Sequence, residues 1–152
     1  MKRLAVLATV LFATATLADD ALDDAFAKDF LIIVNGHYAC HGIDIYLALN
    51  REQQIRGLMH VRELPEMTGM LFVYGRDDYR SMWMKTTYIS LDLLFVRSDG
   101  TVASIARNTE PQSLRSIRSI EPVRFVLELN AGMADKLALD ENSLLVWEPP
   151  AD

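Results

Sequence analysis

Residues 30–49, FLIIVNGHYACHGIDIYLAL, contain the two segments that decide the fold. The first segment, residues 30–34, is a dense run of β-forming residues. Asn35-Gly36 follows it, and this dipeptide is a strong signal for a β-hairpin because both residues tolerate a positive φ. Further on, large aliphatic residues alternate with other residues over positions 43–49, which is typical of a strand with one face in the core. The stretch therefore predicts two antiparallel strands at the start of a sheet.

Further strands are predicted along the chain, and tight turns join several of them. Ser98-Asp99-Gly100 is a hairpin turn between two runs of β-forming residues. The predicted strands beyond the first two lie at residues 70–74, 79–84, 91–97, 101–105, 123–129 and 144–147. Since a tight turn makes the strands that it joins antiparallel, we expect most of the sheet to be antiparallel.

Two short helices are predicted between the strands. The first covers residues 51–56, where Asn50 is the N-cap and Gln53 completes a capping box. The second covers residues 132–139. Strands outnumber helices, so the predicted fold class is α+β: a compact, mostly antiparallel β-sheet or small barrel with two short helices.

The N-terminal segment has the pattern of a secretory signal peptide. Met1-Lys2-Arg3 is a cationic start, residues 4–15 are nearly all apolar or small, and the segment ends in small residues at Ala18. This order predicts a signal peptide over residues 1–18 and a periplasmic or secreted protein. The apolar run is shorter than the about 20 residues that span a bilayer, so we expect no stable membrane insertion after cleavage.

The composition indicates one folded domain. Hydrophobic residues make up 51% of the 152 residues and charged residues 24%, which excludes a disordered acidic chain and a disulfide scaffold. We expect a flexible acidic lead-in over residues 19–29 and a single soluble, monomeric domain over residues 30–148. The net charge of −6 argues against a nucleic-acid partner, which needs a basic face. With Cys40 as the only cysteine, no disulfide can form within the chain.

Short motifs follow one another in a characteristic order through the domain. They are Gly57-Leu58-Met59, Leu64-Pro65, Gly69-Met70-Leu71-Phe72-Val73, Trp83-Met84-Lys85-x-Thr87, Leu91-Asp92 and Leu127-Glu128-Leu129-Asn130-Ala131-Gly132. In this order and spacing they resemble the bacterial and archaeal domain-of-unknown-function 192 family, also called uncharacterised protein family 0127. The resemblance covers about residues 30–148. It implies a small, often exported, β-rich α+β domain and no established reaction.

Three positions depart from the pattern of that family. Thr86 stands where the family usually has Asn, and Val61 lies near a position that is usually Arg, for which Arg62 could substitute. Asn142 stands where Gly is common, which is a mild change because Asn also tolerates a left-handed turn. A function that needs the missing amide or guanidinium is therefore in doubt for this chain.

The candidate ligand-binding residues all lie in or beside these motifs: Trp83, Lys85, Asp92, Glu128 and Asn130. On an extended segment Trp83 and Lys85 point to one face, and an indole beside an ammonium suits a sugar ring or a carboxylated small molecule. Asp92 and Glu128 lie beside apolar strand runs, where a carboxylate must be paired or hydrogen-bonded or its pKa rises. Asn130 is placed to act as the N-cap of the helix that follows.

The same residues also have a purely structural interpretation. In it, Met82 and Met84 fill the core, and Lys85 forms an ion pair with Asp92 or Glu128. The two interpretations differ in whether the indole, the ammonium and the two acids line one cavity, with the long loop over residues 108–121 as its lid.

Three functions are compatible with the sequence. The first is an exported binding or accessory domain, not an enzyme, whose partner is an unknown small molecule or envelope component. The second is an envelope-glycan hydrolase with Asp92 and Glu128 as its catalytic pair, which would have to lie about 5–9.5 Å apart. The third is periplasmic copper or zinc binding through His37, Cys40 and His41. A metal site is not favoured, because these three residues lie outside the motifs, and no cofactor is expected.

Overall fold

The computed structural model of the chain describes residues 21–149. Residues 21–23 are helical, and two further short helices are α1 (Arg51–Arg56) and α2 (Met133–Lys136). The strands are β1 (Ala27–Val34), β2 (Cys40–Ala48), β3 (Thr68–Asp78), β4 (Ser81–Met82), β5 (Leu91–Val96), β6 (Val102–Ala106), β7 (Ile117–Arg118), β8 (Val123–Asn130) and β9 (Leu144–Val146). The predicted α+β class is confirmed.

Seven of these strands form one sheet, in the order β6-β5-β8-β3-β2-β1-β9, and β4 pairs with β7 in a small second sheet. Every neighbouring pair of the large sheet is antiparallel except β2 and β3, which run parallel. Parallel neighbours need a crossover connection, and α1 with the loop after it provides one.

The two edges of the large sheet meet, so that it forms a nearly closed barrel. Thr101, just before β6, pairs with Leu144 of β9. The amide of Leu145 donates a hydrogen bond to the carbonyl of Gly100 at 2.8 Å. A Cβ atom on Gly100 would lie 2.3 Å from the carbonyl oxygen of Leu145, so only glycine fits at this contact. We call this contact the seam.

Alternate residues of the strands face two separate apolar clusters. The inner cluster takes residues from all seven strands and therefore fills the barrel, with α2 packed against it; it includes Leu31, Ile43, Ile45, Leu71, Leu94, Val102, Leu127, Met133, Leu137 and Leu145. The outer cluster lies between the sheet and the segments 49–67 and 79–90; it includes Leu58, Val61, Met70, Phe72, Met82, Met84, Phe95 and Val126. The central strands are thus buried on both faces.

The outer layer does not extend over β1 and β9. Phe30, Ile32, Leu144 and Val146 are therefore between 37% and 52% exposed on the outside of the barrel. The ring of Phe30 lies over Gly42 of the neighbouring strand, where a Cβ atom would come within 2.4 Å of the ring.

The N-terminal boundary of the folded part differs from the prediction. The flexible lead-in was expected over residues 19–29, yet Leu22 and Phe26 are only 3% exposed and β1 begins at Ala27. Because both side chains pack in the outer cluster, the fold includes at least residue 22 and the residues after it. The predicted signal peptide, residues 1–18, lies outside the described residues.

Two further sequence expectations concern membranes and cysteine. Within residues 21–149, no helix is long and apolar enough to cross a membrane. Cys40 is free and exposed at the start of β2.

Candidate functional site

Glu128 is a buried acid on the outer face of the sheet. It lies in β8 between Met70 of β3 and Leu93 of β5, and it is only 4% exposed. Among the residues that the structure describes, none forms a hydrogen bond or an ion pair with its carboxyl group. Burial raises the pKa of Glu128 to about 8, because the charged form would lose its hydration without gaining a partner. At neutral pH the group is therefore mainly the protonated acid.

A cavity of about 80 Å³ opens from the surface to this acid, and we call it the Glu128 cavity. Its lining comes from the end of α1 and the turn after it, from β3, and from the segment that carries β4: residues 54–59, Phe72, Tyr74, Ser81, Met82, Trp83 and Thr87. Trp83 is 48% exposed and therefore stands at the rim. The cavity thus places an indole at the surface and an unpaired carboxylic acid in its interior.

The first wall is formed by α1 because of how this helix begins and ends. Asn50 accepts a hydrogen bond from the amide of Gln53 at 3.0 Å, and the Gln53 side chain accepts one from the amide of Asn50 at 3.3 Å, which is the predicted capping box. The helix ends at Gly57, whose φ of 46° is a left-handed value. A Cβ atom here would lie 3.1 Å from the Phe72 ring, which explains why glycine opens the Gly-Leu-Met motif.

The second wall is the segment around Trp83, and several backbone hydrogen bonds fix it. The amide of His60 donates to the carbonyl of Thr86 at 2.9 Å, which ties this segment to the turn after α1. On the other side, the amide of Met84 donates to the carbonyl of Ser113 at 3.0 Å. The loop over residues 108–121 is therefore bonded to the segment that carries Trp83, and it contains strand β7.

Lys85 lies beside Trp83 at the rim. Its Nζ atom is 5.4 Å from the centre of the Trp83 ring, which is within the range of a cation–π interaction. The ion pair that the structural interpretation assigned to Lys85 with Asp92 or Glu128 is not found among the described side chains. Met82 and Met84 do fill the outer cluster, as that interpretation expected.

Asp92 does not belong to this cavity, and this corrects the expectation of a shared site. It pairs with Leu129 in the sheet, whereas Glu128 pairs with Leu93, so the two carboxyl groups lie on opposite faces. Asp92 is fully buried and accepts hydrogen bonds from the amides of Asn108 at 2.8 Å and Ala134 at 2.9 Å. It therefore fixes the start of α2 to the end of β6, and the catalytic pair that a glycan hydrolase needs is not formed.

Asn130 also has a structural role, but not the predicted one. Its side-chain amide donates to the carbonyls of Leu64 at 2.7 Å and Pro65 at 3.2 Å, which holds the Leu-Pro loop against β8. The N-cap of α2 is Gly132, with a φ of 84° and no side-chain cap. The prediction of Asn130 as an N-cap is therefore wrong, because a left-handed glycine begins the helix two residues later.

The candidate metal ligands lie in the hairpin between β1 and β2 and do not line the cavity. His41 follows Cys40 directly in β2, so their side chains point to opposite faces of the strand. In the described part of the chain, no group of three or more His, Cys, Asp or Glu side chains lies close enough to hold a metal ion. The structure therefore does not bring His37, Cys40 and His41 together as a ligand set.

Tyr74 is a cavity residue that sequence reasoning missed. Its hydroxyl donates to the sulfur of Met82 at 3.7 Å, and the guanidinium of Arg80 lies 3.8 Å from the centre of its ring. Burial, and to a smaller extent the charge of Glu128, raises the pKa of Tyr74 to about 12. The only sequence signal was its place at the end of a β-forming run, which does not distinguish a cavity residue from a core residue.

Comparisons with known proteins give one consistent family match. The family model DUF192, described as "Uncharacterized ACR", matches residues 32–147. A solved structure from Sinorhizobium meliloti 1021, called a "putative transcription regulator", is 39% identical with a TM-score of 0.78, over 80% of this chain and 94% of that one. A protein of unknown function from Novosphingobium aromaticivorans DSM 12444 is 30% identical with a TM-score of 0.75, over 90% of this chain and 100% of that one. Among curated proteins, none matches.

Proposed function

Because the chain belongs to the DUF192 family, whose members have no assigned reaction, we propose from its own site that it is a small exported binding domain with the Glu128 cavity as its ligand site. The match over residues 32–147 confirms the family resemblance found in the motifs. The export part of the proposal rests on the signal-peptide pattern of residues 1–18. In this proposal, the ligand is a small molecule or a small group of an envelope component.

One observation carries the proposal: a glutamate that is only 4% exposed, whose carboxyl group lacks a partner among the described residues and opens to the surface beside an exposed indole. Leaving a buried polar group without a hydrogen bond costs about 1–3 kcal/mol. The cross-strand neighbours of Glu128, Met70 and Leu93, have apolar side chains, so neither compensates the carboxyl group with a hydrogen bond from its side chain. A ligand that supplies the missing hydrogen bond would offset that cost, and Trp83 would cover its apolar part.

The description of the Sinorhizobium relative does not extend well to this chain. Regulators that bind DNA neutralise phosphates with a basic face. This chain has 15 basic residues against 21 acidic ones. We therefore favour a small ligand over a nucleic acid.

The proposal can be tested by ligand-observed NMR of the purified chain against a panel of cell-wall sugars and small carboxylates. We expect saturable binding that Trp83→Ala abolishes. Tyr79→Ala is the matched control, because Tyr79 is an aromatic residue that is 64% exposed outside the cavity lining. Binding that persists unchanged in Trp83→Ala, or the absence of any binding across the panel, would contradict the proposal.

A further inference from the structure

The surroundings of Glu128 determine which chemical group it can receive. Its neighbours in the sheet are Met70 and Leu93, and Leu58, Phe72 and Met82 line the cavity beside it. A carboxyl group in such a setting is held as the neutral acid, because ionisation would place an unpaired charge among apolar side chains. A neutral acid carries one O–H donor, and the strongest partner for that donor is an anionic oxygen.

The other charged groups near the cavity are cationic. Besides Glu128, the ionisable side chains in the described lining are Arg56 and Tyr74. Arg56 donates to the carbonyl of Ala21 at 2.9 Å, and Lys85 lies against the Trp83 ring at the rim. Arg80, whose guanidinium lies 3.8 Å from the centre of the Tyr74 ring, is a third cation. Three cations, with no second acid in the described lining, therefore favour an approaching anion and disfavour an approaching cation.

From this geometry we infer that the Glu128 cavity binds the carboxylate end of a small organic acid, an inference that rests on the proposed function. The O–H of Glu128 donates to one carboxylate oxygen, and the proton stays shared in that hydrogen bond. Lys85 attracts the anion at the rim, and Trp83 covers the carbon atoms next to the carboxylate. A volume of about 80 Å³ is large enough for the carboxylate and the carbon atoms next to it.

The alternative ligand group is a protonated amine. A carboxylate and an amine differ in whether their binding takes up or releases a proton. A carboxylate needs Glu128 protonated, so above the pKa of Glu128, near 8, its binding must take up one proton. An ammonium needs Glu128 ionised, so at pH 7 its binding must release one proton. The affinities of the two groups therefore change with pH in opposite directions.

The experiment compares three probes of nearly the same shape: propionate, propionamide and propylammonium. Binding is followed by the fluorescence of Trp83 in a Trp147→Phe background, between pH 6.5 and 9.5. We expect propionate to bind most tightly at pH 6.5, and its affinity to fall about tenfold per pH unit above pH 8, as one bound proton requires. Propylammonium binding most tightly, or a propionate affinity that rises with pH, would overturn the inference.

Two variants separate this inference from the proposed function. Glu128→Gln keeps an N–H donor but has no proton to lose, so propionate affinity should become independent of pH above 8. Lys85→Met keeps the chain length without the charge, and it should weaken propionate binding several-fold without changing propionamide binding.

If propionamide or a member of the sugar panel binds in a Trp83-dependent way while propionate does not, the inference is wrong and the binding function stands. If nothing binds, both are wrong.

Discussion

At the scale of single residues, Glu128 and Thr86 are two positions where the local environment opposes the residue type. Glu128 is an acid held among apolar side chains, and Thr86 is a β-branched residue with a φ of 52°. Glu128 lines the cavity, and Thr86 lies in the segment around Trp83 that forms its second wall. Each has a measurable effect on stability that does not depend on knowing the ligand.

Glu128 should make the protein less stable as pH rises through the neutral range. Its pKa is about 8 in the folded chain, against an ordinary value of 4.5. Between these values the unfolded chain has lost the proton and the folded chain keeps it, so the free energy of unfolding falls as pH rises. The stabilising contribution is complete below pH 4.5 and is lost as pH passes 8, with a total on the order of 4–5 kcal/mol.

Urea unfolding at pH 5, 6.5 and 8.5 measures this effect. Glu128→Gln should show a much flatter dependence on pH than the unmodified chain. Glu110→Gln, a change of the same kind at an exposed position, should leave the pH dependence of the free energy of unfolding unchanged. Equal slopes in the unmodified chain and in Glu128→Gln would show that burial does not raise the pKa of this group.

Thr86→Asn should stabilise the protein by about 1 kcal/mol, since Asn accepts a left-handed backbone that costs a β-branched residue roughly 1–2 kcal/mol. The substitution restores the residue that the family usually has at this position. Thr87→Asn is the neighbouring control: Thr87 is 5% exposed and its φ is not positive, so this change should destabilise. Thermal unfolding measures both, and an unchanged or lower melting temperature for Thr86→Asn would count against strain at this turn.

The limits of sequence reasoning at this scale are visible in Glu128 and Asp92. Their positions between apolar residues indicated that both acids lie close to the core. Strand periodicity then suggests that Glu128, between Leu127 and Leu129, faces solvent, but a second apolar layer covers that face. Which face each acid takes depends on the pairing register of β5 with β8, and the local pattern of either strand does not contain that information.

At the scale of elements, the short helices show what local sequence does and does not determine. The start and end of α1 agree with the prediction because its cap, capping box and terminal glycine are all local signals. The start of α2 lies within one residue of the prediction, but its cap differs: Gly132 replaces Asn130, and the amide of Ala134 donates to Asp92, which is 42 residues away in the chain. A contact between distant residues, rather than the sequence around Asn130, decides where this helix lies.

Asp92→Ala should destabilise the protein by about 2–4 kcal/mol, because it leaves the buried amide of Ala134 and the part-buried amide of Asn108 without their acceptor. Chemical denaturation measures the loss, and Asp135→Ala, at an exposed position within α2, should cost far less. Any binding at the Glu128 cavity should persist under conditions where the Asp92 variant remains folded. A loss of binding without a loss of stability would mean that Asp92 contributes to the ligand site after all.

At the scale of the whole molecule, closure of the barrel is the feature that holds the two ends of the described chain together. β9 pairs with β1, so Ile32 lies opposite Val146, and the seam joins β9 to the residues before β6. The class of the fold could be predicted from strand patterns and turns. The closure and the parallel pairing of β2 with β3 could not, because they depend on which distant strands become neighbours.

Gly100→Ala should open or strain the seam and destabilise the protein by about 2 kcal/mol or more, since its φ of 87° and its contact with Leu145 both exclude a side chain. Gly75→Ala is the matched control, because a Cβ atom there meets nothing within 4 Å. Thermal and urea unfolding of the two variants give the comparison. Equal stability of both variants would show that the seam contributes little to the fold.

The seam also determines when the barrel can close during synthesis of the chain. A chain is made from its N-terminus, so the ring of strands stays open until Leu145 is available to meet Gly100. Until then β1 and β6 each present an unpaired edge, to which other extended chains can add. A chain that lacks β9 (Leu144–Val146) therefore keeps both edges open to such additions, because β9 is the strand that pairs with β1 and meets Thr101.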